Sequence, residues 1–166
     1  MTDLPPIVVM DTCILLELLN VPKHNERHSE ISEEFQRLED IGADLILPMA
    51  AIIETGNHIA DLPGGHDRRM AATRYVAAVR EAIQGQAPWQ TTQFPDNQAV
   101  LAWLDQFPDH ASSGAGFSDA SIIQEWDRLR QKCPLSRIYI WSNDSKFASY
   151  DTHPQASRKR PAKRKR

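Results

Sequence analysis

Short runs of apolar residues alternate along the chain with longer stretches in which apolar residues recur every three or four positions. The short runs predict three β-strands, over residues 6–10, 44–47 and 137–141. The longer stretches predict helices over residues 12–20, 25–41, 67–84, 96–106 and 118–133, with a further helix starting near Pro48. Residues 85–96 and 108–116 are predicted as loops. Short strands that alternate with helices predict a parallel α/β sheet covered by helices on both faces.

The composition is that of a single soluble domain, with 166 residues of which 41% are hydrophobic and 25% are charged. Cys13 and Cys133 lie far apart and show no zinc-ligand spacing, so we expect free thiols in a reducing compartment. The N-terminus does not resemble a secretory signal. The longest apolar stretch, residues 45–53, is interrupted by a proline and is far shorter than the roughly 20 residues of a spanning helix. We therefore expect a cytoplasmic protein that is not bound to a membrane.

Charge is distributed unevenly along the chain. The last nine residues hold seven of the 19 Lys and Arg residues and none of the 22 acids, so residues 1–157 contain 12 basic and 22 acidic residues, a formal charge of −10. We divide the chain into a domain of residues 1–150 and a basic, flexible tail of residues 151–166. The tail pattern is typical of nucleic-acid binding, nuclear targeting or simple solvation. Its candidate RNA-binding side chains are Arg158, Lys159, Arg160, Lys163, Arg164, Lys165 and Arg166.

Four acidic residues are predicted to meet at one edge of the sheet. Asp11 directly follows the first strand and Asp144 shortly follows the third, and open α/β sheets bind ligands at the carboxyl ends of their strands. Asp119 in the first turn of a helix and Glu54 on the helix after the second strand are brought toward the same edge by βαβ geometry. Clustered carboxylates raise one another's pKa unless a cation neutralises them. Because no Lys or Arg partner is evident, the cluster predicts a bound Mg²⁺ or Mn²⁺, which oxygen ligands favour over zinc.

Each of these residues also has a purely structural explanation when it is taken alone. Asp119 would stabilise a helix N-terminus by about 0.3–1 kcal/mol, and Asp11 would be a turn residue after a strand. Ser118 is expected to cap the helix that contains Asp119. His58 either touches a substrate or belongs to a solvated surface. The other histidines are expected at the surface, outside the site: His24, His28, His66, His110 and His153.

The order of four short motifs resembles the PIN-domain ribonuclease family, of the VapC-like toxin type. The motifs are VVMDTC at the first strand, IIETGN on the helix after the second, GFSDASII at a helix start and WSNDSKF after the third strand. The resemblance extends over about residues 7–148, and it rests on the order of the motifs because each is short. It implies a three-layer α/β/α sandwich with a short, mainly parallel central sheet. The family sheet usually continues with another strand, whereas SYDTHPQAS leads here into the tail, so we expect a trimmed or rearranged edge.

The resemblance also implies roles for individual residues. The acidic quartet would be Asp11, Glu54, Asp119 and Asp144. Its three aspartates would bind one or two metal ions directly, while the glutamate would be a ligand or would orient the attacking water. Thr12 and Ser142 resemble the hydroxyl neighbours of the metal, and Phe147 matches the family's aromatic packing residue. Asn143 could share or take the ligand role of the aspartate that follows it.

The activity implied by the resemblance is metal-dependent hydrolysis of phosphodiester bonds in single-stranded or structured RNA. The protein would be the toxin of a toxin–antitoxin pair, with an antitoxin partner and a homodimeric state. A phosphatase of the haloacid dehalogenase type is disfavoured, because it needs a second aspartate where this chain has Cys13. The alternative is a non-catalytic PIN module that binds RNA or protein. That alternative predicts the loss of one or more acids, and all four are present.

Overall fold

The structure is a computed structural model that describes residues 4–154, and a five-stranded sheet forms the centre of this part of the chain. The strands are β1 (Ile7–Met10), β2 (Asp44–Leu47), β3 (Trp89–Thr91), β4 (Ile138–Trp141) and β5 (Asp151–Thr152). In space they follow the order β3-β2-β1-β4-β5. Neighbouring strands from β3 to β4 are parallel, and β5 pairs antiparallel with β4. The sheet is therefore short and mainly parallel, as predicted.

Within residues 4–154, six helices pack around this sheet. They are α1 (Thr12–Leu18), α2 (His28–Asp40), α3 (Met49–Ala60), α4 (Gly65–Ile83), α5 (Asn97–Ser112) and α6 (Phe117–Lys132). All four residues of β1 are buried, which requires cover on both faces of the sheet. The predicted α/β/α sandwich is confirmed.

The register of the central strands aligns their carboxyl ends. Met10 at the end of β1 pairs with Trp141 at the end of β4. One residue further, the backbone N–H of Asp11 donates to the carbonyl of Trp141 at 3.0 Å. Asp11 and Ser142 therefore leave the sheet side by side, although 130 residues separate them in the chain.

Strand β3 lies inside a segment that was predicted as a loop. Residues 89–91 form β3 beside β2, and the indole of Trp89 is buried against the ring of Phe35, with ring centroids 5.4 Å apart. A three-residue strand is too short to show an alternating pattern. Strand β3 depends instead on the burial of one tryptophan against a distant part of the chain. The prediction of a loop over residues 85–96 was wrong at this strand.

Helix α5 continues through Pro108 to Ser112, where the sequence predicted a loop from residue 108. A proline inside a helix removes the hydrogen bond to the carbonyl four residues earlier, here that of Leu104. Leu104 is half exposed and no residue of α5 is fully buried, so water can replace that bond. The chain leaves the helix instead at Gly114, whose φ of +85° suits a residue without a side chain.

The outer edge of the sheet is completed rather than trimmed. Strand β5 pairs with Ile138 and Tyr139 of β4, and Arg137 donates two hydrogen bonds to Asp151 at 3.0 and 2.7 Å. The sheet therefore extends past the domain boundary predicted at residue 150. The basic side chains of the predicted tail, residues 158–166, lie outside the described residues. Between residues 4 and 154 no helix is long and apolar enough to cross a membrane.

Candidate active site

An open cleft of about 590 Å³ lies where the strands β1 and β4 end. All four predicted acids line it: Asp11, Glu54, Asp119 and Asp144. The acids come from the end of β1, from α3, from the first turn of α6 and from the loop after β4. The parallel sheet thus brings together residues that are spread over more than a hundred positions of the chain.

Asp11 is the most deeply buried of these acids, with 6% of the residue exposed. Its backbone is extended, so the residue ends β1 and caps α1, and its Oδ1 accepts from the N–H of Thr12 at 2.7 Å. Its Oδ2 accepts from Ser142 Oγ at 2.6 Å and from Cys13 Sγ at 3.3 Å. Burial nevertheless raises the pKa of Asp11, and the charge of Asp119 adds to this rise. The ionised carboxylate is therefore short of positive charge in its surroundings.

Ser142 and Cys13 form a network that holds the Asp11 carboxylate. The Ser142 hydroxyl donates to Asp11 and accepts from the N–H of Asp144 at 2.9 Å, which joins two of the acids through one side chain. The Cys13 thiol accepts from the N–H of Asn143 at 3.2 Å. Burial, together with the smaller effect of the Asp11 charge, raises the pKa of Cys13 to about 11. Cys13 is therefore a neutral thiol at neutral pH and serves as a hydrogen-bond donor rather than a nucleophile.

Glu54 is held by two hydroxyl groups from other helices. Its Oε2 accepts from Ser118 Oγ at 2.6 Å and from Thr12 Oγ1 at 3.1 Å. The expectation that Ser118 caps α6 was wrong, because Gly116 occupies the N-cap position. The Ser118 hydroxyl donates instead to Glu54 on α3. Two short donors fix the orientation of the Glu54 carboxylate.

Asp119 has both a structural and an electrostatic contact. Its Oδ2 accepts from the N–H of Gly116 at 2.9 Å, so it does stabilise the start of α6. The same oxygen accepts from Lys146 Nζ at 2.7 Å, and that ammonium also lies 3.2 Å from Oδ2 of Asp144. The expectation that the cluster has no Lys or Arg partner was therefore wrong.

Lys146 follows Asp144 by two residues, and this spacing within WSNDSKF is the signal that could have identified it. The hydrogen bond from the backbone N–H of Lys146, together with its ammonium, lowers the pKa of Asp144. The hydrogen bond to Asp119 is the main cause of the raised pKa of Lys146 itself. The buried Phe147 beside Lys146 anchors this segment in the core, in the packing role predicted for it.

Asn143 stands at the rim of the cleft. Its Oδ1 accepts from Arg27 Nη1 at 2.7 Å, and Arg27 also pairs with Glu30 on α2. The side-chain carbonyl that would make Asn143 an alternative ligand is therefore already engaged.

Two histidines form another wall of the cleft. The rings of His24 and His58 are 5.1 Å apart, and His58 Nε2 lies 3.8 Å from Oε1 of Glu54. Burial and the proximity of His58 lower the pKa of His24. The expectation that His24 lies outside the site was wrong. No spacing in the sequence indicates this contact, because it depends on how the loop after α1 packs against α3.

The donor chemistry of the cleft fits a hard divalent cation, since carboxylate oxygens are the ligands that Mg²⁺ and Mn²⁺ prefer. Among residues 4–154, however, no three side chains of His, Cys, Asp or Glu are arranged to hold an ion as they stand. Lys146 pairs with Asp119 and Asp144, and hydroxyl groups donate to Glu54. Burial raises the pKa of Asp11, whose carboxylate oxygens accept from the neutral donors Thr12 N–H, Cys13 Sγ and Ser142 Oγ. The carboxylates thus have the donor chemistry that a divalent cation prefers, while two of them are paired with Lys146.

Comparison with known proteins identifies the fold. No protein-family model matches the chain, and no curated protein matches its sequence. Among solved structures, the protein is similar to VapC20 of Mycobacterium tuberculosis, a toxin that cleaves the sarcin-ricin loop. The two are 17% identical, the match covers 86% of this chain and 95% of VapC20, and the TM-score is 0.56. The chain therefore has the PIN-like fold that its motifs predicted.

Proposed function

We propose that the protein is a metal-dependent endoribonuclease that hydrolyses phosphodiester bonds of single-stranded or structured RNA. The observation that carries the proposal is the meeting of four carboxylates in one open cleft at the carboxyl end of a PIN-like sheet. Solvent reaches this cleft, and side chains of five separate segments line it. VapC20, which has a similar fold, cleaves the sarcin-ricin loop, and this supports an RNA substrate here.

The metal ligands in this proposal are Asp11, Asp119 and Asp144, with Mg²⁺ or Mn²⁺ as the ion. Glu54 is either a further ligand or the group that orients the attacking water. A divalent ion in such a site activates water and stabilises the charge that develops on the leaving oxygen. Asp11 is suited to its role because its raised pKa reflects a buried charge that a cation would neutralise.

The remaining residues of the site position these carboxylates. Ser142 and the N–H of Thr12 hold the two oxygens of Asp11, so its orientation is set before a substrate arrives. Ser118 and the hydroxyl of Thr12 hold one oxygen of Glu54, which leaves the other directed toward His58 and the open cleft. That free oxygen can accept a proton from water. Thr12, Ser142 and Asn143 are thus supporting residues in the proposed site.

For the biological role we propose the toxin of a toxin–antitoxin pair, acting in the cytoplasm. The partners would be an RNA substrate, an antitoxin protein and a second copy of the chain. Helix α5 leaves Leu101 and Leu104 about half exposed, which supports a surface that a protein partner would cover. Light scattering of the purified protein tests the homodimer.

We further propose that the basic tail, residues 158–166, contacts RNA phosphates. Removal of these residues would then weaken RNA binding and flatten its dependence on salt, because each phosphate contact releases bound counterions. Binding measured by fluorescence anisotropy over a range of salt concentrations tests this. Identical binding curves for the full chain and the truncated chain would exclude a role of the tail in RNA binding.

A second candidate is a PIN module without catalytic activity that binds RNA or protein. The ion pairs of Lys146 with Asp119 and Asp144 favour it, because these pairs give the acids a cation that belongs to the chain itself. A module of this kind would keep the cleft and would neither bind a divalent ion nor cut RNA. An RNA-cleavage assay with and without divalent metal distinguishes the two candidates.

The test is cleavage of mixed RNA and DNA substrates by purified protein in Mn²⁺, Mg²⁺ or EDTA. Asp11→Asn and Asp119→Asn are assayed beside Asp105→Asn, a matched control on the exposed face of α5. The proposal predicts metal-dependent RNA cleavage by wild type and by the control, and loss of cleavage in both site variants. Wild-type turnover by Asp11→Asn would reveal a contaminating nuclease or a wrong assignment. No cleavage and no metal binding by wild type would favour the non-catalytic module.

A further inference from the structure

The ammonium group of Lys146 lies between two of the four acids of the cleft. Its Nζ is 2.7 Å from Oδ2 of Asp119 and 3.2 Å from Oδ2 of Asp144. In the part of the chain that the structure describes, no other Lys or Arg lines this cleft. Lys146 therefore occupies the position of a cation among oxygens that the proposed function assigns to a metal.

The contacts of Lys146 are of a kind that can be exchanged. The Lys146 side chain is 39% exposed and those of Asp144 and Asp119 are 46% and 14% exposed, so water competes with the pair to Asp144 and reaches the lysine end of the pair to Asp119. The backbone is held separately, by the hydrogen bond from the Lys146 N–H to Oδ1 of Asp144 and by the buried ring of Phe147. The flexible stem of the lysine can therefore move while its backbone stays in place.

A divalent cation and the ammonium cannot share the same carboxylate oxygens without strong mutual repulsion. When the ion binds, the ammonium must leave Asp119 and Asp144, and the length of its stem keeps it close to the cleft. An RNA backbone that enters an acidic cleft is repelled unless basic groups neutralise its phosphates. The displaced ammonium is the group that lies in place to do this.

We propose that Lys146 is a substrate-positioning residue that neutralises Asp119 and Asp144 in the metal-free protein and turns to a phosphate of bound RNA when a divalent ion takes those oxygens. This inference rests on the proposed function. One substitution should then change metal affinity and RNA affinity in opposite directions. Removal of the ammonium should strengthen metal binding, because a competitor is lost, and should weaken RNA binding, because a phosphate contact is lost.

The substitution is Lys146→Met, which keeps the unbranched stem and removes the charge. Lys132→Met, at the exposed end of α6 and outside the cleft, is the matched control. Isothermal titration with Mn²⁺ should show roughly tenfold tighter binding by Lys146→Met than by wild type, as expected for the loss of a competing cation. The control should bind Mn²⁺ as wild type does.

RNA binding is then measured with Mn²⁺ present, using a mixed-sequence single-stranded RNA and proteins that all carry Glu54→Gln to slow cleavage. In this background Lys146→Met should bind RNA about tenfold more weakly, with a salt slope smaller by about 1. Lys146→Arg keeps the positive charge and should restore RNA binding toward the value of its parent. A side chain that only stabilises the fold would not produce tighter metal binding together with weaker RNA binding.

Unchanged or weaker Mn²⁺ binding by Lys146→Met would overturn the proposal, as would unchanged RNA binding. If wild type cuts RNA while the Mn²⁺ affinities of wild type and variant agree, this inference fails and the proposed function stands. If wild type neither binds Mn²⁺ nor cuts RNA, both fail. Circular dichroism of each variant ensures that a loss of folding is not counted as a loss of binding, and Lys146→Arg provides the comparison if Lys146→Met unfolds.

Discussion

Asp11→Asn should make the metal-free protein more stable while it removes the proposed activity. The substitution replaces a buried carboxylate with a neutral amide of nearly the same shape. The amide oxygen can still accept from the N–H of Thr12, and the hydroxyl of Ser142 can rotate to accept from the new amide group. The cost of burying a charge beside Asp119 is removed.

The expected sign and pH dependence follow from the raised pKa of Asp11, and the expected size is that of a typical single substitution. Burial outweighs three hydrogen bonds, so the folded protein binds a proton more tightly than the unfolded chain does. The contribution of Asp11 to the free energy of unfolding is thus fully present below its pKa in the unfolded chain, about 3.9. It is lost as the pH rises through the higher pKa that Asp11 has in the folded protein. Asp11→Asn avoids that loss and should gain on the order of 1 kcal/mol at neutral pH, the usual size of a single-residue effect.

Urea denaturation in EDTA, at about pH 4 and about pH 7, measures this difference. The gain of Asp11→Asn over wild type should be larger at the higher pH. The exposed control Asp105→Asn should change the unfolding free energy by less than about 0.5 kcal/mol at either pH. A variant less stable than wild type at about pH 7, or a gain that is the same at both pH values, would refute this reasoning, because the hydrogen bonds would then at least balance the burial of the charge.

Three further substitutions test individual contacts. Tyr75→Phe removes a 2.7 Å hydrogen bond to a backbone carbonyl of α3 and should lower the unfolding free energy by about 1 kcal/mol in urea denaturation; no change would mean that water satisfies the carbonyl. Asp151→Asn breaks the partly exposed pair with Arg137 and should cost less than about 1 kcal/mol at neutral pH. Because the pKa of Asp151 is lowered in the fold, that cost should fade as the pH drops below about 4, and a cost that is constant with pH would contradict this. Ser118→Ala frees the carboxylate of Glu54 and should slow RNA cleavage about tenfold with recovery in Ser118→Thr, whereas an undiminished rate would remove Ser118 from the site.

The features that could be predicted from the sequence are those with a local pattern. The β-branched run before Asp11 and the helical spacing after it identify a strand and a helix without reference to the rest of the chain. The parallel sheet then supplies a general rule, because the carboxyl ends of parallel strands share one edge. That rule places Asp11 and Asp144 together although 133 positions separate them.

The features that could not be predicted depend on contacts between distant segments. Strand β3 exists because Trp89 packs against Phe35 of α2, and no pattern within three residues shows this. His24 reaches the cleft because its loop packs beside His58. The ion pair of Lys146 with Asp119 is likewise a contact between two segments, and it reverses the expectation that the acids have no cationic partner.

The most direct test of the central claim, that the four acids form a divalent-metal centre, is anomalous diffraction from crystals of the protein grown with Mn²⁺. We expect an anomalous peak in the cleft, with carboxylate oxygens of Asp11 and Asp119 roughly 2.1 Å from it and with Lys146 turned away. Crystals that show no peak there at saturating Mn²⁺, with Lys146 still paired to Asp119 and Asp144, would exclude a divalent-metal centre at these acids.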